Sequence, residues 1–93
     1  MHHPFPAADK NPWPNLFTKA QYRRLVANGE KLQEFPHFES TPVVKLFTPD
    51  GAATWLLCDI SPRDLDIAFG LCDLGYGEPE CGRVSLRELS ALR

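Results

Sequence analysis

Two apolar runs, PVVKLFT (42–48) and AATWLLCDI (52–60), stand on either side of Pro49-Asp50-Gly51. Proline presets the first turn dihedral, aspartate bonds to its own backbone, and glycine accepts the left-handed position. The segment therefore predicts a short hairpin with a bulge, and the rest of the fold must be built around it. In the first run Val44 and Leu46 alternate against Lys45, which marks one face as wetter. In the second, Trp55, Leu56, Leu57 and Cys58 follow in succession, so that strand is predicted to be central and covered on both faces.

Upstream, residues 1–16 carry Pro4, Pro6, Pro12 and Pro14 interleaved with Phe5, Trp13 and Leu16. Proline removes donors and holds its predecessor extended, so this stretch reads as an irregular strap packed on the body, without a PxxP recognition motif. Residues 17–93 then read as one domain. Thr18 and Gln21 form a capping-box pattern, Tyr22, Leu25 and Val26 supply an apolar face, and Asn28-Gly29 reads as the stop of a first helix. Downstream of the hairpin, Ser61-Pro62-Arg63-Asp64 suggests a single turn of helix or a tight connection, and IAFGLCDLG (67–75) a third strand whose Gly70 marks a bulge or close backbone approach. Gly82-Arg83-Val84 suggests a short fourth strand, and Ser85 with Glu88 opens a short last helix. The predicted class is α+β, with a three- to four-stranded, mostly antiparallel sheet, an N-terminal helix and a short C-terminal helix.

Ninety-three residues allow a single modest core and no separate substrate domain. Met1 to Asn15 lacks the basic start and apolar stretch of a secretion signal, and no run is long enough to span a bilayer, so a cytoplasmic location is expected. Cys58, Cys72 and Cys81 are odd in number and lack the close pairing of zinc ligands; joining them with His2, His3 or His37 into a zinc site is disfavoured, and no metal or cofactor is expected. Cys58 and Cys72 read as small buried hydrophobes and Cys81 as exposed.

Charge is the strongest remaining signal. Residues 59–80 hold six acids against Arg63, a net of −5, whereas the remainder holds nine basic and six acidic residues, a net of +3. Solvated turn acids are the ordinary reading; the functional reading is an acidic face made by Asp64, Asp66, Asp73, Glu78 and Glu80 that docks a basic partner. Tyr76, at the tip of this segment, either serves a protein contact or packs down to close the loop. No spacing isolates a catalytic carboxylate pair, no local signature positions a Cys-His nucleophile, and Gly75-Tyr76-Gly77 does not extend to a phosphate loop, so an enzyme is not expected. An alternative contact uses the basic residues Lys19, Arg23 and Arg24 of the first helix, with Lys31, to touch nucleic acid. The net charge of −2 weighs against tight binding of that kind.

The strings VKLFTPDGAATWLL and GLCDLGYGEPE, with FTKAQYRRLVANG upstream, resemble the bacterial family catalogued as domain of unknown function 2958, from about Leu16 to Leu92. At Cys81 the family pattern favours an apolar residue such as leucine, which weighs against a shared thiol or zinc role. The resemblance implies a small accessory protein of plasmids and other mobile elements and transfers no functional residue. It implies a binding function, with a non-enzymatic module that docks a basic, nucleic-acid-binding protein as the leading expectation. A nuclease or CRISPR inhibitor is its specific form, and a nucleic-acid accessory protein in plasmid or phage DNA processing is the alternative.

Overall fold

The computed structural model describes residues 11–92, so the readings placed on His2, His3, Pro4, Phe5 and Pro6 lie outside the described residues. The turn at Pro49–Gly51 joins strand β1 (Val44–Phe47) to β2 (Thr54–Ile60) in antiparallel register, with Val44 opposite Leu57 and Leu46 opposite Trp55. The Thr48 hydroxyl donates to the Asp50 carboxylate (2.7 Å), which also accepts the Ala52 N–H (2.9 Å), while Gly51 takes φ 74°. These bonds favour the charged carboxylate, led by that from Thr48, and hold Asp50 below the usual carboxylate range. The β1–β2 register is regular; the irregularity lies further along, between Leu57 and Asp59 where β2 faces β3 (Ile67–Asp73). With β4 (Glu80–Ser85) the four strands form an antiparallel sheet in chain order, and helices α1 (Lys19–Glu34) and α2 (Leu86–Ala91) complete an α+β fold.

Thr18 caps α1 reciprocally: its hydroxyl accepts the Gln21 N–H (3.1 Å) and its own N–H donates to the Gln21 side chain (2.9 Å). Tyr22, Leu25 and Val26 are buried as the periodicity requires. The helix does not stop at Asn28-Gly29; it runs on to Glu34 and ends where Pro36 denies Phe35 a helical backbone. Asn28 and Gly29 instead fasten the helix to the sheet. The Asn28 amide donates to the Cys58 carbonyl at the β2 irregularity (2.8 Å), and a Cβ on Gly29 would lie 1.9 Å from the Ile60 carbonyl oxygen. Only glycine permits that approach.

At the other end Asp66 anchors α2. Its carboxylate accepts the Ser85 hydroxyl (2.8 Å) and the Arg87 N–H (2.8 Å), and its carbonyl accepts the Leu86 N–H (2.7 Å). Both helices and the Trp13–Phe17 turn cover one face of the sheet, where Leu16, Phe17, Tyr22, Leu25, Leu86 and Leu89 meet Leu46, Trp55, Leu57, Ile60 and Ala68. β2 is central, but it is not covered on both faces. Leu56 and Cys58 on the far side are only half-buried and Phe69 is exposed, because the cover there is no more than Leu32 near the end of α1 and the connection through Phe38, Glu39, Ser40 and Pro42. No helix among the described residues is long and apolar enough to cross a membrane.

Helix propensity alone makes Gly29→Ala stabilising by about 1 kcal/mol. The contact with Ile60 reverses the sign: the variant is expected to lose about 3 kcal/mol by overpacking, read as a lower urea midpoint in chemical denaturation.

Candidate functional site

β3 and β4 are joined by residues 74–79, in which Gly75 and Gly77 take φ 89° and 82°, values that favour glycine. The Asp73 carboxylate accepts the Gly75 N–H (2.9 Å), and Gly75 lies so close to the Ala52 carbonyl that a Cβ would stand 2.9 Å from it. The loop is thereby braced against the β1–β2 turn. Tyr76 does not pack down; it is 86% exposed at the tip.

Below this loop, the register sets Gly70 of β3 opposite Gly82 of β4. Gly70 is the close approach its sequence position suggests, with the Leu56 carbonyl 2.0 Å from where a Cβ would sit; Gly82 has nothing within 4 Å of its own. The open position at Gly82, with no helix residue among the lining, leaves a hollow of about 440 Å³ on the helix-bearing face. Trp55, Leu57, Cys72 and Val84 line its floor and walls, and Tyr76, Glu78 and Glu80 form an acidic, aromatic rim with Arg83 also at the edge. Apolar walls beneath carboxylates suit a long cationic side chain, whose methylene stem rests on the walls while its head meets the rim. Cys72 and Cys81 both line the hollow, and burial pushes the Cys72 thiol up.

The six predicted contact residues divide into two groups. Tyr76, Glu78 and Glu80 share the hollow, and Asp73 stands at the same end of the sheet, bonded to the loop. Asp64 and Asp66 lie at the opposite end of β3, about 20 Å away along a seven-residue strand. Asp64 accepts the Asp66 N–H (3.0 Å) in the β2–β3 turn, and Asp66 holds α2. On α1, Lys19, Arg23, Arg24 and Lys31 are all exposed; the Lys31 ammonium sits 4.6 Å from the centre of the Phe38 ring.

The sequence reading passed over the Gly70–Gly82 pair. Its signal was present: the two glycines are equidistant from Tyr76, so a hairpin centred on that residue brings them face to face. Asp59 was also passed over, although an acid inside the apolar run LLCDI is itself a signal. It is buried, and burial pushes its carboxyl above the usual range against one bond from the Ser40 hydroxyl (3.3 Å). The thiols of Cys58 and Cys72 are half-buried and that of Cys81 is exposed; burial also raises Cys58. Among the described residues, no group of three or more His, Cys, Asp or Glu side chains could hold a metal ion.

Asp59 is harder to ionise in the fold than in the unfolded chain, so its contribution is fully present below about pH 4 and is lost as pH rises through its raised value. Asp59→Asn is therefore expected to raise the melting temperature at pH 7 relative to the parent chain, with the advantage shrinking towards pH 4; a variant melting lower at pH 7 would contradict this. Asp66→Ala is expected to cost about 1–2 kcal/mol through the loss of its bonds to α2, measured by denaturant titration.

No curated protein and no solved structure matches the chain. The profile of one family does, under the description "Protein of unknown function (DUF2958)", over residues 16–93. That span holds every described element, from the buried Leu16 through the Gly70–Gly82 hollow to α2. The chain belongs to the DUF2958 family.

Proposed function

We propose that this protein is a non-enzymatic interaction module that docks a basic protein partner on the β3–β4 corner. The observation that carries the reading is the hollow itself. Its apolar walls are unfilled, and Glu78, Glu80 and the exposed Tyr76 stand at its mouth. Carboxylates around an apolar recess steer a cationic partner and then hold its side chain out of water. Tyrosine adds contact area at low entropy cost. A nucleic-acid-binding protein is a partner of the right charge, and in the mobile-element setting implied by the resemblance the module would act as an inhibitor that covers a nuclease's groove. The alternative, a nucleic-acid accessory protein, has the exposed Lys19, Arg23 and Arg24 of α1 in its favour. A mobility-shift titration at low salt separates the two, since this account expects no retarded species.

Binding is tested with two variants against basic proteins captured from a bacterial lysate. Asp73→Lys, Glu78→Lys and Glu80→Lys combined are expected to slow association by about tenfold or more at low salt and to flatten its salt dependence. Gly82→Val puts a branched side chain into the hollow from a position where a Cβ meets nothing within 4 Å, so the fold is expected to persist with an unchanged melting temperature while capture is weakened. Capture that survives both variants contradicts the reading.

A further inference from the structure

β4 is an edge strand: the sheet ends with it, and among the described residues nothing pairs with its outer side. The phase of its hydrogen bonds follows from one contact. The Leu86 N–H donates to the Asp66 carbonyl (2.7 Å), which makes the neighbouring pair Ile67–Ser85 a non-hydrogen-bonded one. On the β2 side, the Ser61 N–H donates to the Ile67 carbonyl (2.8 Å), consistent with Ile67 turning its backbone away from β4. Antiparallel pairs alternate, so Val84, Gly82 and Glu80 spend their backbone groups on β3, whereas the N–H and C=O of Cys81 and Arg83 point off the free edge. The hollow runs along this same edge, with Glu80, Gly82 and Val84 lining it.

We infer that the partner enters as an extended segment, added to β4 as a fifth strand. This rests on the docking reading above and specifies the form of the ligand. A strand pairing with Cys81 and Arg83 presents alternate side chains to opposite faces. Those on the helix-bearing side lie over the notch at Gly82 beside Glu78 and Glu80, and charge complementarity makes them lysine or arginine. Those on the other side stand opposite Cys81 and Arg83, next to Phe69 and Leu71, and this exposed apolar surface favours an apolar residue. The occupant is a segment alternating basic and apolar residues.

The probe is acetyl-Val-Lys-Val-Lys-Val-Lys-Val-amide, titrated into the full chain at low salt by calorimetry. The parent chain is expected to bind it, and Cys81→Pro to weaken binding about tenfold, because proline deletes an outward donor that β3 does not use. A peptide N-methylated at its valines, the residues set opposite Cys81 and Arg83, leaves the protein intact and is expected to bind correspondingly less well, which keeps the test valid if Cys81→Pro fails to fold. Undiminished affinity for the methylated peptide overturns strand addition. If the triple lysine variant abolishes binding while neither backbone change does, acidic docking stands and strand addition falls. If light scattering shows a dimer that Cys81→Pro converts to monomer, a second copy occupies the edge and the inference is wrong.

Discussion

The close seat of α1 on β2 governs what the rest of the sheet can do. Gly29 against the Ile60 carbonyl, and Asn28 bonded to the Cys58 carbonyl, hold the helix over the end of β2 that lies beyond β1. Asp66 holds the start of α2 at the adjoining end of β4. From there α2 runs towards Leu46, Phe47 and Trp55 on the β1 side, so the corner where β3 turns into β4 has no helix over it, and the open position at Gly82 deepens it. The hollow is thus a consequence of where the helices are fastened, and it belongs to a braced part of the structure rather than to a loose loop.

That arrangement sorts the acidic residues by role. Asp64 and Asp66 spend their carboxylates on the β2–β3 turn and on α2, which removes them from any common surface with Glu78 and Glu80. Asp73 both supports the loop through Gly75 and adds charge beside the hollow. What remains is a smaller site than the charge count alone suggests, composed of an exposed tyrosine and two glutamates above apolar walls. Two thiols, those of Cys72 and Cys81, line it as well, and burial raises the first.

Local chemistry was the legible part of the sequence. The PDG turn, the Thr18–Gln21 box, the third strand with its tight Gly70 and the Ser85 cap all appear where residue type alone dictates them. What was illegible depended on contacts distant in the chain. Asn28-Gly29 has the composition of a helix stop, and only the position of Ile60 reveals that this glycine serves approach and not termination. Likewise LLCDI is apolar enough for a strand covered twice, but coverage depends on where helices land, and both landed on one side. The acidic run looked continuous because β3 lies within it, and a seven-residue strand separates its two ends in space.

The central claim is that the β3–β4 corner is the surface that binds. Amide chemical-shift mapping of the labelled protein, titrated with the alternating valine–lysine peptide, tests it most directly. The account predicts perturbations concentrated at Cys72, Leu74, Tyr76 and Glu78 and along β4 from Glu80 to Val84. Perturbations centred instead on Lys19, Arg23, Arg24 and Lys31 of α1, or on the Asp64–Asp66 turn, would contradict it.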